Sequence, residues 1–297
     1  MLYVVATPIG NLGDMSPRAV ETLRKVDLIA AEDTRVTRKL TTHFDIHTPL
    51  TSCHEHNEKG KAAQIVQRML EEGIDVALVT DAGTPAISDP GTYLVRECAD
   101  HGIPVCAVPG PTAMASAVSV SGFDLTEFTF YGFLPREKGA LSAKLKSMAG
   151  TQGAVIHESP HRVVKLMEAV AEILPEAQVS ASCDLTKLHE LTIRGSASEV
   201  LESLRANEKA DKGEYCLVLD LRLTKKEEQK EQIQISPELA ILARMLEGMD
   251  LRQAKEDLIQ SGIRKNEAYA ASLRVLDFLV KKQKNSVKTL ENIKMLC

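Results

Sequence analysis

The chain has 297 residues, of which 44% are hydrophobic and 26% charged, and its formal net charge is −5. This make-up is typical of a folded globular protein, and the length favours two domains over one. No stretch approaches the roughly 18 consecutive apolar residues of a membrane-spanning helix, and the amino end enters a strand-like run without a basic leader. We therefore expect a cytoplasmic protein whose six cysteines, which form no C-x-x-C pair, are reduced and mostly buried.

Charge is distributed unevenly along the chain. Residues 224–297 carry 14 Lys and Arg against 11 Asp and Glu, whereas residues 1–223 carry 22 against 30. A polyanionic partner would therefore need local basic patches. The end of the chain could contact a phosphate backbone, although a frayed, solvated tail explains it equally well. Its lysines are Lys281, Lys282, Lys284, Lys288 and Lys294.

Residues 1–120 alternate short apolar runs with helical patterns, which predicts a series of βαβ units. Apolar stripes at helical spacing follow Ser16-Pro17 and Asn57, which are residues typical of helix starts. The strand-like runs are apolar throughout, as expected for a parallel sheet covered on both faces. The predicted strands are 2–6, 28–31, 76–79 and 105–108.

The segment DAGTPAISDPG at 81–91 follows the third of these strands directly. Open α/β sheets bind their ligands at such strand ends. A phosphate-binding loop would place a Lys and a Ser or Thr here, whereas the only charged side chains are acidic, so we expect a neutral or cationic ligand that carries hydroxyl groups. Segments 7–14 and 109–113 follow two other strands in the same way. Three loops are therefore expected to rim one crevice.

After Gly122 the pattern restarts with more closely spaced strands, which favours a mixed sheet. The predicted strands are 128–133, 154–157, 179–182, 191–194 and 215–221, with helices at 138–149, 160–174 and 197–206. A polar stretch at 224–234 precedes helical patterns at 237–248, 250–261 and 265–283, of which the last two resemble a helix-turn-helix hairpin. We predict an α/β fold with an N-terminal domain at 1–120, a second α/β domain at 121–223 and a helical extension at 236–297.

Seven short motifs occur in order between residue 2 and about residue 222. Together they resemble the ribosomal RNA small subunit methyltransferase I family of the tetrapyrrole methylase superfamily, whose fold is of the class III S-adenosylmethionine methyltransferase type. The last 70 or so residues resemble the variable helical extension of many members. The motifs are TPIGNLGD (7–14), AAEDTR (30–35), DAGTPAISDPG (81–91), PGPTA (109–113), YGFLPR (131–136), ESPHR (158–162) and KGEY (212–215).

The resemblance implies a homodimeric enzyme that uses S-adenosyl-L-methionine to methylate the ribose 2′-hydroxyl of a cytidine in the decoding region of 16S ribosomal RNA. S-adenosyl-L-homocysteine would be the product. An acidic crevice without a phosphate site suits a sulfonium cation, and main-chain groups freed by Gly and Pro turns can bind its adenosine and amino-acid ends. The cofactor contacts implied by resemblance are Pro8, Asp81, Ala82, Gly83, Ile87, Ser88, Pro111, Thr112, Ala113 and Leu185.

Methyl transfer from a sulfonium depends mainly on alignment of the acceptor oxygen. Because a ribose hydroxyl is a poor nucleophile, a general base or a cation that stabilises the developing alkoxide would help. The catalytic candidates are Glu32, Asp33, Asp89 and Lys187, with Glu158 as a further acid. Asp33 or Thr34 could instead cap the helix that follows.

RNA contacts are expected from Arg35, His54, His56, Asn57, His161 and Arg162. Arg35 suits a target phosphate. Ser159 and Pro160 are a normal helix start, but positive charge in the first turn is unfavourable, so capping does not account for His161 and Arg162. No metal is expected, because His54-x-His56 lacks further ligands. Few aromatic residues and no Trp favour RNA contact through phosphate and sugar rather than base stacking.

Two departures from the family pattern leave the target open. Family members usually carry Ala-Arg-Glu-Leu-Thr-Lys where residues 182–187 read Ser-Cys-Asp-Leu-Thr-Lys, and His157 stands where an aromatic residue is usual. Two alternatives therefore remain: methylation of a tetrapyrrole or corrinoid small molecule, and a non-catalytic RNA-binding relative.

Overall fold

The computed structural model describes residues 1–224 and 236–294, with side chains described up to residue 281. The chain forms two compact units, Met1–Glu227 and Glu228–Cys297. The predicted boundary near residue 120 falls inside the first unit and stays a prediction. Of the polar stretch at 224–234, only Thr224 lies within the described residues. The side chains of Lys282, Lys284, Lys288 and Lys294 lie outside them.

The first sheet is entirely parallel and has the strand order β3-β2-β4-β1-β5. Every residue of the central strands β2 and β4 is buried, as their uninterrupted apolar sequences predict. β3 was not predicted, because a strand of only three residues shows too little apolar periodicity. The strands are β1 (Leu2–Val5), β2 (Leu28–Ala31), β3 (Leu50–Ser52), β4 (Val76–Val79) and β5 (Val105–Val108).

Helices cover both faces of this sheet. They are α1 (Pro17–Lys25), α2 (Thr34–His43), α3 (Glu58–Glu72) and α4 (Thr92–Asp100). The first two pack with Ile29 and Ala31 on one face, and α3 and α4 pack with Leu28 and Ala30 on the other. The next helix, α5 (Ala113–Ser121), packs instead with Val155, Cys216 and Val218 from later in the chain. Because all five strands are parallel, the loops that lead into α2, α3, α4 and α5 lie at one edge of the sheet.

The second sheet is mixed, as predicted, with the order β6-β7-β10-β8-β9. Only β6 and β7 pair in parallel, and the last strand, β10, lies in the centre between two antiparallel neighbours. The strands are β6 (Thr129–Phe133), β7 (Gly153–Glu158), β8 (Gln178–Cys183), β9 (Leu191–Ser196) and β10 (Tyr215–Asp220). The helices of this half are α6 (Lys138–Met148), α7 (Pro160–Ile173) and α8 (Ala197–Ala206).

The second unit consists of α9 (Pro237–Leu246), α10 (Leu251–Gln260) and α11 (Lys265–Lys294). α11 extends further than the predicted 265–283. A small apolar core joins the three helices, with Ile241, Leu258 and Val275 among its buried residues. No described helix is long and apolar enough to cross a membrane. The five cysteines with described side chains are free thiols, and Cys297 lies outside the described residues.

Candidate active site

A cavity of about 500 Å³ lies where the loops that follow β1, β4 and β5 face the second sheet. Its first wall comes from the first half of the chain and its second wall from strands and loops of the second half. The lining residues are Ile9, Ala82, Gly83, Thr84, Ile87, Ser88, Asp89, Thr112, Ala113, Met114, Phe130, Phe133, His157, Glu158, Ser159, Pro160, Leu185, Gly213, Glu214, Tyr215 and Cys216. The structure therefore contains the crevice that the sequence predicted.

Hydrogen bonds join the three loops of the first wall. Thr7 and Gly83 exchange backbone N–H to O=C bonds of 2.9 and 3.0 Å, and the Thr84 hydroxyl donates to the carbonyl of Pro111 at 3.2 Å. Gly83 has a φ of +82°, a conformation that favours glycine. The three loops therefore form one connected wall, and a ligand that contacts one loop is positioned against the other two.

The residues expected to bind the cofactor divide between two neighbouring cavities. Seven line the large cavity: Ala82, Gly83, Ile87, Ser88, Thr112, Ala113 and Leu185. Pro8 and Asp81 line a second cavity of about 310 Å³, which shares Ala82 and Ile9 with the first. Pro111 lies beside the large cavity, where its carbonyl accepts the Thr84 bond.

The carboxyl groups of Glu32, Asp81 and Asp89 lie close together near the carboxyl ends of β2 and β4. The backbone N–H of Asp81 donates to Glu32 at 3.2 Å, and the backbone N–H of Asp33 donates back to Asp81 at 3.1 Å. Partial burial and the charge of neighbouring carboxylates raise the pKa values of Glu32, Asp81 and Asp89. Of the candidate catalytic acids Glu32, Asp33 and Asp89, Asp89 alone lines the large cavity.

Asp33 caps α2, which was one of the two interpretations that the sequence left open. Its carboxylate accepts the backbone N–H of Arg35 at 2.8 Å and pairs with the Arg35 guanidinium at 2.7 Å. These hydrogen bonds lower the pKa of Asp33 to about 2. A carboxylate so stabilised in its ionised form is a weak proton acceptor. The Arg35 side chain remains 88% exposed despite this pair.

Lys187 bridges two carboxylates. Its ammonium donates to Asp184 and Glu214, each at 2.8 Å. Burial alone would lower the pKa of Lys187, but these two hydrogen bonds outweigh burial and raise it. Lys187 is therefore a cation at neutral pH and cannot serve as a base. Glu214, one of its partners, lines the cavity.

Asp184, one of the family departures, has a specific place in this arrangement. It adopts a left-handed backbone with φ of +51° and accepts the Lys187 bond. A Cβ added to Gly213 would come within 2.5 Å of its carboxylate. The Asp184 side chain, which is shorter than the glutamate of the family pattern, thus packs against the main chain of the KGEY segment. Lys187 neutralises its charge. The neighbouring Cys183 has its pKa raised by burial.

The ESPHR segment places a buried acid in the second wall. The Glu158 side chain is fully buried, and one of its oxygens accepts the backbone N–H of Ser159 at 2.8 Å. The other oxygen has no hydrogen-bond partner but lies 3.3 Å from the Arg162 guanidinium. Arg162 also donates to the carbonyls of Leu134 and Pro135. This provides a structural reason for the cation in the first helical turn, and His161 beside it is exposed.

His157 contributes a polar atom to the second wall. Its ring packs edge-to-face against Phe130 and Phe133, with centroid distances of 5.0 and 5.9 Å. Its Nε2 is buried without a hydrogen-bond partner, and burial lowers the pKa of the imidazole. The imidazole therefore packs as an aromatic ring would and also carries a nitrogen without a hydrogen-bond partner.

The HEHNE segment at 54–58 leads into α3, which begins at Glu58. Asn57 accepts the backbone N–H of His54 at 2.8 Å, and the rings of His54 and His56 are 6.0 Å apart. Exposed His56 and half-buried Asn57 line an open depression of about 680 Å³ together with Lys59 and Tyr93. Within the described residues, no group of three His, Cys, Asp or Glu side chains is placed to hold a metal ion.

Several lining residues were not predicted as site residues. They include Ile9, Met114, Phe130, Phe133, Glu214, Tyr215 and Cys216. Phe133, Glu214 and Tyr215 lie in the YGFLPR and KGEY motifs, so motif membership was the signal that could have identified them. Phe130 and Cys216 lie in apolar strands, where a lining residue is indistinguishable from a core residue in the sequence.

Comparison with known proteins identifies sequence relatives. Residues 1–201 match the family described as Tetrapyrrole (Corrin/Porphyrin) Methylases. The chain is 43% identical to "Ribosomal RNA small subunit methyltransferase I" of Bacillus subtilis, over 78% of this chain and 79% of that protein. It is 45% identical to the protein of the same name from Synechocystis, over 74% of this chain and 78% of that protein. It is 37% identical to the protein of that name from Haemophilus influenzae, over 93% of this chain and 98% of that protein.

Solved structures have a similar fold. The methyltransferase CobJ has a TM-score of 0.55 and 17% identity, covering 75% of this chain and 95% of that chain. Uroporphyrin-III C-methyl transferase from Thermus thermophilus, complexed with S-adenyl homocysteine, has a TM-score of 0.52 and 16% identity, covering 74% and 96%. Similarity at this level of identity shows the fold alone.

Proposed function

This chain belongs to the ribosomal RNA small subunit methyltransferase I family of the tetrapyrrole methylases, and we propose that it methylates the ribose 2′-hydroxyl of a cytidine in the decoding region of 16S ribosomal RNA. Family membership makes it an S-adenosylmethionine-dependent methyltransferase. The observation that carries the proposal is the 500 Å³ cavity formed by the family motifs, which combines apolar walls with acidic side chains.

The residues present fit the cofactor. Ile9, Ile87 and Leu185 supply apolar surface, whereas Asp89 and Glu214 supply negative charge that suits a sulfonium cation. His157 Nε2, which has no hydrogen-bond partner, is a further hydrogen-bonding site in the second wall. The Glu158 carboxylate also lines this wall, and one of its oxygens is paired with Arg162. Bound in this cavity, S-adenosylmethionine supplies an electrophilic methyl group, and S-adenosyl-L-homocysteine is the product.

Asp89 is the best placed of the candidate bases to accept the proton of the ribose hydroxyl. It lines the cavity, and its raised pKa makes it a stronger proton acceptor than an ordinary carboxylate. Glu32 is bonded to the backbone of Asp81 and Asp33 to Arg35, so both hold loop geometry. The Lys187 ammonium contributes positive charge beside the cavity.

RNA contact is proposed at exposed residues outside the cavity. Arg35, His56 and His161 are exposed and can reach phosphate or sugar oxygens. The Asn57 side chain accepts the backbone N–H of His54, and Arg162 pairs with Glu158. The proposed role of these three residues is to position the exposed contacts. The homodimer and the cytoplasmic location are also proposals. The edge strand β5 leaves Val105 39% exposed, an apolar surface that a second copy would cover.

The test uses isotopically labelled S-adenosylmethionine and small ribosomal subunits from cells that lack the modification. We expect label in 16S ribosomal RNA, recovered as 2′-O-methylcytidine by mass spectrometry of the digested RNA. Label on a base, or no transfer to any RNA, would overturn the proposal. A parallel reaction with porphyrinogen substrates tests the small-molecule alternative, and cofactor binding in a calorimeter without turnover would support the non-catalytic alternative.

A further inference from the structure

One face of α2 presents an unusual concentration of positive charge. The side chains of Thr34, Arg35, Arg38, Lys39 and Thr42 line a shallow depression of about 430 Å³. These positions form a continuous arc on a helix with 3.6 residues per turn. We call this surface the α2 cationic face. The opposite side of the helix packs on the sheet through buried Thr37 and Thr41.

This charge is not neutralised by the helix itself. The sequence of α2 contains no Asp or Glu. Arg38 and Lys39 are exposed and form no ion pair among the residues that the structure describes. Arg35 does pair with Asp33, but its guanidinium remains largely exposed. Since residues 1–223 carry an excess of acidic residues, such a local cluster marks a site for an anionic partner.

The position of the helix connects this surface to the cavity. α2 begins directly after Asp33, whose backbone N–H bonds to Asp81 in the loop that lines the cavity. β2 pairs with β4 through residues 28–31 and 76–79, so the start of α2 lies beside the loop 81–91. A nucleic acid strand that enters the cavity therefore passes close to α2.

We propose that the α2 cationic face binds consecutive backbone phosphates of the RNA strand that flanks the target nucleotide. Guanidinium groups and an ammonium bind phosphate oxygens strongly, and the two threonine hydroxyls can donate further hydrogen bonds. The face carries no aromatic ring for base stacking, so its recognition is independent of base sequence. This inference rests on the proposed RNA substrate and identifies the part of the protein that holds the strand.

The test is the double variant Arg38→Gln/Lys39→Gln, which removes two charges from exposed positions. Binding of unmodified small ribosomal subunits is measured across a range of salt concentrations. Each lost phosphate contact lowers the slope of log affinity against log salt by about 1, so we expect a slope reduced by about 2 and affinity about tenfold weaker at low salt. The methylation rate at saturating subunits and saturating S-adenosylmethionine should be unchanged. Saturating cofactor is used because Lys39 also lines the cavity that holds Pro8 and Asp81.

The matched control is Lys165→Gln/Lys209→Gln, which removes the same charge from exposed positions outside α2. If both double variants weaken binding of the small ribosomal subunit equally, the effect is due to net charge alone and the inference is overturned. An unchanged affinity and slope for Arg38→Gln/Lys39→Gln would also overturn it. If the wild-type enzyme transfers no methyl group to RNA, the proposed function itself fails, and that result is distinguishable because it is measured on the unaltered chain.

Discussion

Glu58, the first residue of α3, binds the backbone of Gly91 at the start of α4 on the same face of the first sheet. One oxygen of the buried carboxylate accepts the N–H groups of Gly91 at 2.9 Å and Tyr93 at 2.7 Å. It thus caps α4 and fixes the end of the loop 81–91, one of the cavity walls. Gly91 has a φ of +136°, and an added Cβ would lie 2.7 Å from the Leu78 side chain. The chain therefore has little freedom at this junction.

Replacing Glu58 tests this connection. Glu58→Ala leaves two N–H groups without their acceptor, and we expect about 2–4 kcal/mol of lost unfolding free energy together with weaker cofactor binding. Glu58→Gln retains an acceptor oxygen and should recover part of both losses. Denaturant unfolding and calorimetric titration with S-adenosylhomocysteine measure the two effects. Full cofactor affinity in a folded Glu58→Ala variant would show that the loop does not depend on this bond.

Asp89→Asn tests the proposed base. An amide cannot accept the proton, so the single-turnover rate of methyl transfer at saturating S-adenosylmethionine should fall about 100-fold or more. Loss of the negative charge should also weaken cofactor binding. In the wild type the rate should rise with pH through the pKa of Asp89, which burial and Asp81 raise above its ordinary value, and then level off. The variant should lose this dependence. Asp100→Asn, at an exposed position, is the control, and an identical pH profile in Asp89→Asn and the wild type would assign the base elsewhere.

His157→Phe tests the burial of an imidazole. Because burial lowers its pKa in the folded state, the unfolded chain takes up a proton first as the pH falls. Wild-type stability should therefore decline below the ordinary histidine value of 6.5, by up to about 1.4 kcal/mol at about pH 5.5. The difference in unfolding free energy between the variant and the wild type should grow in favour of the variant over this range. A constant difference between about pH 7.5 and 5.5 would contradict the expectation.

Two glycine substitutions provide a matched pair. An added Cβ at Gly10 would lie 2.6 Å from the Lys187 side chain and 3.2 Å from the carbonyl oxygen of Leu185, whereas one at Gly60 meets nothing within 4 Å. Gly10→Ala should destabilise the protein by about 1–3 kcal/mol and weaken cofactor binding by displacing Leu185. Gly60→Ala, in the first turn of α3, should stabilise it by up to about 1 kcal/mol. The melting temperatures of both variants test this expectation. Equal changes in melting temperature would contradict the close packing at Gly10.

Local sequence signals predicted most of the fold. The strand at 76–79 was found at the bounds of β4 because a buried parallel strand is a short apolar run between turn residues. Ser16 and Pro17 marked the start of α1, where the Ser16 hydroxyl accepts the backbone N–H of Ala19 at 3.1 Å. The short strand β3 was missed because its three residues show no periodicity.

Side-chain partners in the site could be predicted less well, because they depend on contacts between distant residues. Lys187 was a catalytic candidate, but its bond to Glu214, 27 positions away, decides that it is a cation. Glu58 lies in a recognised motif, yet its bonds to the loop that ends at Gly91 follow from the packing of α3 on α4. The motifs identified which loops meet, and the packing determined what each side chain does.

The central position of β10 has a consequence for biosynthesis. β7, β8 and β9 all precede it in the chain, but β7 and β8 do not pair with each other and are joined into one sheet only when the segment Tyr215–Asp220 is inserted between them. During translation the nascent chain can therefore complete its first sheet early, whereas the second remains open until about 220 residues have been made and have left the ribosome. Since Gly213 to Cys216 line the cavity proposed for the methyl donor, we expect the growing polypeptide to be unable to bind its donor until that late stage of synthesis.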